Sequence, residues 1–232
     1  PPYDCPLCQD TGFVDGKRCR CFVQASIDLV YSQSHLDDIL DQENFDVFSF
    51  DYYSKDIVDA KSGRSSLDFA KDAYETAQNF VQNFSTEGGS LLLYGDTGTG
   101  KTFLSNCIAK SLLDQGHSVI YFTAFQFFDI FEKDVFQKDE DAMEAHEQIF
   151  QCDLLIIDDL GTEFSNSFTT SQLCLNERLL RGKSTVISTN LSMKQLREIY
   201  SERTSSRIFS NYQPCKLFGD DIRIKKKLSN KS

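Results

Sequence analysis

The 232-residue chain is predicted to be an α/β protein in which a parallel five-stranded sheet lies between helices. Three observations carry that prediction. The sequence Gly95-Asp96-Thr97-Gly98-Thr99-Gly100-Lys101-Thr102 matches G-x-x-x-x-G-K-[ST] and directly follows the apolar run Leu91-Leu92-Leu93-Tyr94. That strand-then-loop context suits a turn whose backbone N–H groups curl around phosphate oxygens. Downstream, short and nearly continuous apolar runs alternate with helical patterns, as strands covered on both faces require. One of those runs, Leu154-Leu155-Ile156-Ile157, ends in Asp158-Asp159. Ligands of parallel sheets sit at the carboxyl ends of the strands, which brings both acids beside the loop.

From the amino terminus, Cys5-Pro-Leu-Cys8 and Cys19-Arg20-Cys21 set two thiol pairs around a turn-rich loop containing Gly12 and Gly16. Four thiolates so spaced suit tetrahedral Zn²⁺, and a segment too small for its own core gains folding energy from the metal. The second pair is C-x-C where C-x-x-C is commoner, so a disulfide or free thiols stand as the alternative, with His35 as a further candidate ligand. A reducing compartment favours the metal. Residues 1–40 are assigned to this knuckle and a linker helix over Ile27–Leu40, whose apolar side is Leu29, Leu36, Ile39 and Leu40.

The aromatic connector from Phe45 to Tyr53 is read as packing, with the lining of a base pocket as the alternative. A helix over Ser66–Phe84 leads into the strand at 90–94. The next helix, Thr102–Leu113, carries Phe103, Leu104, Ile108 and Leu112 at helical spacing, and its amino-terminal dipole faces the phosphates. Further strands are predicted at Val119–Phe122, Asp153–Ile157, Thr185–Thr189 and Cys215–Phe218, and an exposed acidic helix over Glu132–Glu147. Cys107, Cys152, Cys174 and Cys215 stand singly among apolar neighbours and read as buried free thiols.

Composition narrows the function classes. An apolar share of 40% with 20 Phe supplies a substantial core. No run approaches the roughly 20 apolar residues that a spanning helix needs, and no signal sequence opens the chain, so a membrane role is not expected. Residue 1 is Pro rather than Met, which reads as a trimmed or partial chain. The net charge of −11 makes the chain a poor non-specific binder of nucleic acid, whose affinity comes mainly from Lys and Arg. Contact with DNA must then be local or shared with partners. Arg223-Ile224-Lys225-Lys226-Lys227 is the candidate patch, and a solvated charge run is the alternative.

The motifs assign chemistry. Lys101 is expected to reach the β- and γ-phosphates and Thr102 to bind Mg²⁺ through its hydroxyl. Asp158 is the natural second Mg²⁺ partner, and Asp159 is placed to orient and deprotonate the attacking water. Asn190, ending the Thr185–Thr189 strand, can hold that water or touch the γ-phosphate, the alternative being a cap for the next helix. Arg203, Arg207 and Arg223 offer permanent forked charges suited to a transferring phosphoryl group, with surface ion pairing as the alternative.

Taken in order, CPLC…CRCF, the phosphate loop, the LLIIDD strand, the STN strand end, the S-E-R-x-x-S-R-I box and D-I-R resemble the DnaC/DnaI-type replicative helicase loaders and their IstB-like relatives, which are AAA+ ATPases. The resemblance covers essentially the whole chain. It implies a P-loop AAA+ ATPase core over residues 41–232 behind the zinc knuckle, with ATP, Mg²⁺ and Zn²⁺ as cofactors. Partners implied are a replicative hexameric helicase, single-stranded DNA and further copies of the chain through a shared ATP site, in the cytoplasm and without a membrane. By the same implication Asn190 is sensor 1, Arg207 the finger inserted into a neighbour's site with Arg203 as its alternative, and Arg223 sensor 2. Asp159 departs from the usual Glu, and its shorter reach implies slow hydrolysis until a partner completes the site. An IstB-like transposition helper on duplex DNA and a nucleotide-gated adaptor with little turnover remain alternative readings. Loaders carry a helicase-binding segment before the knuckle. Almost nothing precedes Cys5 here, so part of the partner-binding surface is expected to be missing.

Overall fold

Five of the strands in the computed structural model, which describes residues 3–30, 36–136, 147–161, 168–199, 206 and 210–229, form one parallel sheet. They are β3 (Ser90–Tyr94), β4 (Val119–Thr123), β5 (Leu154–Leu160), β6 (Ser184–Thr189) and β7 (Tyr212–Lys216), in the spatial order β4-β5-β6-β3-β7. Every pairing in the sheet is parallel. The predicted architecture is therefore present, and the sheet matches a P-loop AAA+ fold.

Alternation along the strands divides the core in two. Leu91, Leu93, Leu154, Ile156 and Val186 face one side, where helices α3 (Ser66–Gln82) and α4 (Lys101–Asp114) pack with Ala70, Ala77, Leu104, Ile108 and Leu112. Leu92, Leu155, Ile157 and Ile187 face the other, under α5 (Ala124–Phe136) and α6 (Phe168–Leu180) with Phe127, Cys174 and Leu175. Strands buried on both faces in this way read as continuous apolar runs, which is why the sequence located them. Helix α3 starts with a capping box, in which Ser65 and Asp68 satisfy each other's backbone N–H groups.

Three elements differ most from the sequence reading. Strand β5 runs to Leu160 instead of ending at Ile157, so Asp158 and Asp159 lie inside the strand and not after it. The carboxy-terminal strand is β7 at 212–216 rather than 215–218, because Pro214 lies inside it. An edge strand tolerates a residue without an N–H, and β7 pairs only with β3. The predicted helix over Ile27–Leu40 becomes α1 (Arg20–Val30) and α2 (Leu36–Gln42), with 31–35 outside the described residues. Ile27 belongs to the core on one face of the sheet, and Leu36 and Leu40 to the core on the other. Ile39 is exposed, since the i, i+4 pair Leu36–Leu40 defines the buried side. The acidic Glu132–Glu147 segment is described only to 136 and from 147, where Glu147 is exposed and paired with Arg181.

The cysteine-rich segment folds as a hairpin, β1 (Phe13–Val14) with β2 (Lys17–Arg18), followed at once by α1. Asp15 and Gly16 both take positive φ, as a two-residue primed turn demands. The Gln24 amide of α1 donates to the Val119 carbonyl (3.2 Å) and accepts the Val119 N–H (2.9 Å), so a side chain satisfies the backbone at the start of the edge strand β4.

The largest fully buried side chain described is Arg178 on α6, at 0% exposure. Its guanidinium donates to the carbonyls of Ile149 (2.6 Å), Cys152 (3.1 Å) and Ser184 and to Thr185 Oγ1 (3.2 Å). It thereby ties the helical turn at 147–151 to the start of β6. The four scattered cysteines are buried free thiols. Burial pushes Cys174 up to about 12 and Cys215 up to about 11.

Removing the Arg178 fork strands several buried carbonyls. Arg178→Ala is expected to destabilise the chain by about 3 kcal/mol, read as a melting temperature lower by roughly 10 °C. A drop of less than about 2 °C would contradict the role given to this residue.

Candidate functional site

The register of the sheet assembles the site. Tyr94 of β3 and Leu160 of β5 both stand opposite Thr189 of β6. The glycine-rich loop after β3, Asn190 after β6 and the paired acids within the last residues of β5 therefore stand at one level, on the carboxyl edge of the sheet, where open parallel sheets bind ligands.

The loop is closely packed from behind. Gly95, at φ 141°, has no room for a Cβ against the Leu217 carbonyl. Gly98, at φ 76°, faces the Asp221 carboxylate and accepts the Ile222 N–H (2.9 Å). Both positions need glycine for conformation and for space. Lys101 is 5% exposed, and its Nζ donates to the carbonyls of Gly95 (2.8 Å) and Asp96 (2.6 Å). Burial brings the ammonium down to about 8, against the opposing pull of Asp159, Asp96 and Asp158.

At the first turn of α4, Thr102 Oγ1 lies 3.0 Å from Asp158 Oδ2 and 3.2 Å from Oδ1. A hydroxyl and a carboxylate so close form the hard oxygen set that Mg²⁺ prefers, and the predicted pair fits that ion. Asp158 is buried. The Tyr121 phenol is raised well above its ordinary value by burial and then by the Asp158 charge. Asp159 occupies the left-handed region at φ 63°, within a register shift of β5 between Ile157 and Leu160. The Asn190 amide donates to Asp159 Oδ1 (2.7 Å).

A cavity of about 320 Å³ opens beside these groups. Its floor is Thr97, Gly98, Gly100, Lys101 and Thr102, with Asp159 and Asn190 at one end. Phe48, Tyr52, Tyr53 and Phe103 form an aromatic wall, and Ile222, Arg223 and Lys226 of helix α7 (Ile222–Ser229) close it. The volume is within the ordinary range for small-molecule sites. Tyr53 donates its hydroxyl to the Thr99 carbonyl (3.0 Å), so the connector both packs and lines the cavity. Arg223 is exposed and paired with Asp221 (2.9 Å).

The basic run at 223–227 is part of this rim. Lys225 donates to the Tyr52 carbonyl (3.0 Å), and the Lys226 ammonium sits 5.2 Å from the centre of the Tyr52 ring and 5.5 Å from that of Phe103. Arg203, Arg207 and His35 lie outside the described residues. Glu43, Ser188 and Lys226 were not singled out as site residues from sequence. Lys226 follows Arg223 by three on one helix, a spacing that puts both on one face. Glu43, which accepts from Asn106 Nδ2 (2.6 Å), carries no such signal.

A second cluster lies at the amino terminus. The sulfurs of Cys5, Cys8, Cys19 and Cys21 all lie within 4.8 Å of one another, with Cys5–Cys19 at 3.8 Å and Cys8–Cys21 at 3.4 Å. Tetrahedral Zn–S bonds of ~2.3 Å place sulfurs ~3.8 Å apart, so the four thiols fit zinc in number, softness and spacing. The backbone N–H of Cys8 leads in lowering Cys5 to about 7, while hydrogen bonding to Cys8 leads in raising Cys21 to about 12.

Comparison with known proteins agrees with this geometry. Residues 64–226 match the family described as IstB-like ATP binding protein. The chromosomal replication initiator protein DnaA of Wolinella succinogenes is 32% identical over 169 residues, which are 67% of this chain and 36% of that protein. The replicative helicase loader DnaC of Escherichia coli K12 is 27% identical over 142 residues, 59% of this chain and 57% of that one. The chain thus spans between roughly a third and somewhat over half of these curated relatives. A crystal structure of the DnaC helicase loader superposes with a TM-score of 0.63 at 20% identity, covering 77% of this chain and 98% of its own, a likeness of fold.

The lowered Lys101 makes a pH prediction. Between about 8 and the ordinary 10.5 the folded chain holds fewer protons at this group than the unfolded chain, so stability rises with pH across that window. Below it the buried ammonium is a constant cost. Without nucleotide, Lys101→Met is expected to melt above the wild type at pH 7, with the gain shrinking toward pH 10. An equal or lower melting temperature at pH 7 would contradict the burial argument.

Proposed function

Because this chain belongs to the family of IstB-like ATP binding proteins, we propose that it is an ATP-dependent loader of a replicative DNA helicase, a primosome component whose nucleotide state switches its assembly with helicase and single-stranded DNA. The observation that carries the ATP part is the meeting of Thr102 with Asp158 and of Asn190 with Asp159, beside a buried Lys101, on one edge of a parallel sheet. The helicase part is supported by the likeness to the helicase loader DnaC.

In this reading the backbone of Gly95 to Thr102 cradles the phosphates and Lys101 exchanges its two carbonyl partners for β- and γ-phosphate oxygens. Thr102 and Asp158 hold Mg²⁺, which when bound neutralises charge on the phosphoryl oxygens. Asp159 orients the attacking water and takes its proton, and Asn190 fixes the Asp159 carboxylate in line. Arg223 leaves Asp221 to meet the phosphates from the same chain. Arg207, or Arg203, completes the site from a neighbouring copy, which makes hydrolysis depend on assembly and keeps it slow in the isolated chain. Four thiolates at Cys5, Cys8, Cys19 and Cys21 hold Zn²⁺ and stiffen residues 1–40, while residues 41–232 form the ATPase module. The protein acts in the cytoplasm, and no described helix is long and apolar enough to cross a membrane.

The family match favours a second reading, an IstB-like transposition helper that assembles on duplex DNA. Steady-state phosphate release separates the readings. The loader reading predicts stimulation by a replicative helicase with single-stranded DNA, and stimulation by duplex DNA alone favours the transposition helper. No turnover in any mixture leaves an adaptor gated by nucleotide binding and contradicts the ATPase assignment. Arg207→Ala is expected to spare nucleotide binding and abolish the stimulated rate; unchanged stimulation would sink the finger assignment. Protein purified under reducing conditions should carry about one zinc per chain, and less than about half an equivalent would count against four thiolate ligands.

A further inference from the structure

Ser188 lies in β6, two residues before Asn190, and is 1% exposed. The β5–β6 ladder runs evenly from Leu154↔Ser184 to Ile157↔Ile187, shifts, and resumes at Leu160↔Thr189. Two residues of β5, Asp158 and Asp159, therefore oppose the single Ser188. Such a bulge leaves a backbone donor without a ladder partner. Here the Asp159 N–H donates to Ser188 Oγ (2.9 Å), and the same hydroxyl donates its own proton to Asp158 Oδ1. A serine hydroxyl has one proton and two lone pairs, so one orientation satisfies both contacts. Thr102 reaches the other Asp158 oxygen, Oδ2, and Asn190 holds the Asp159 side chain.

The geometry points to Ser188 as a positioning residue of the nucleotide site. Its hydroxyl fixes the Asp158 carboxylate and the left-handed backbone of Asp159 together, so that the acid facing the cation and the acid facing the water keep one relative placement. This assignment rests on the roles given above to Asp158 and Asp159. A hydroxyl that only satisfied the bulge would alter stability alone. One that positions Asp158 alters how the chain responds to the cation, because losing a residue that orients a metal ligand commonly costs ~10–100-fold in metal affinity or activity.

The test compares full-length wild type, Ser188→Ala and Ser188→Thr, the last keeping the hydroxyl on a side chain suited to a strand. Affinity for the non-hydrolysable analogue AMPPCP is measured by calorimetry in EDTA and across a Mg²⁺ titration, with thermal midpoints and turnover alongside. In EDTA, Ser188→Ala should bind within about twofold of wild type, yet need about tenfold more Mg²⁺ for half its effect and lose about tenfold in turnover. Ser188→Thr should restore both to within about threefold. A wild-type Mg²⁺ response in Ser188→Ala overturns the assignment, whatever its melting temperature. If wild type itself shows no Mg²⁺-dependent binding, the reading of Asp158 fails and this inference with it. Should the alanine variant not fold, Ser188→Cys, of similar shape and only a weak donor, is judged by the same two outcomes.

Discussion

The central strand β6 carries four hydroxyls in six residues, and all four are buried. In a sheet apolar on both faces, exposure alone does not punish a slip of register, because either face accepts Val, Ile or Leu. The hydroxyls do. The Thr185 N–H donates to Ser90 Oγ of β3 (3.0 Å), and Thr185 Oγ1 accepts from Arg178. Thr189 Oγ1 donates to the Leu160 carbonyl (2.6 Å), and Ser188 joins both acids of the β5 bulge. A slip of one residue would strand these groups at about 1–3 kcal/mol each. That exceeds what a different fit of methyl groups would return, so the polar pins hold β3, β5 and β6 at one level.

From that level follows the chemistry. The glycine-rich loop, the paired acids and Asn190 meet because β3, β5 and β6 reach the carboxyl edge at one level, and the carboxy-terminal segment packs against the loop from behind. Asp221 crowds Gly98, Ile222 bonds to its carbonyl, and Arg223 rests on Asp221. Lys101 donates to two loop carbonyls and Asn190 to Asp159. In the proposed function a nucleotide exchanges these internal bonds for its own, each worth only ~1 kcal/mol net, so that binding and rearrangement become one event.

Legibility in the sequence followed locality. The phosphate loop, Asp158-Asp159 and Asn190 were readable because each motif is contiguous and each strand before it is a plain apolar run. The four scattered thiols were readable from their apolar neighbours, which bury them. The last strand was misplaced by three residues because Tyr212-Gln213-Pro214 lacks an apolar run and is tolerated only at an edge. Ser188 looked like one more small strand residue, since its role depends on a bulge in another strand. Lys226 was lost in a basic run read as a candidate nucleic-acid patch or a solvated charge run, whereas its ammonium sits over two aromatic rings.

The claim on which all else rests is that this sheet edge is a nucleoside triphosphate site. Equilibrium titration of the purified full-length chain with fluorescent ATP in the presence of Mg²⁺ tests it directly. The expected result is saturable binding of about one nucleotide per chain, competed by unlabelled ATP and lost in Lys101→Ala, since the proposed site uses the Lys101 ammonium to hold phosphate. Absence of saturable binding, or binding that Lys101→Ala leaves unchanged, would contradict it.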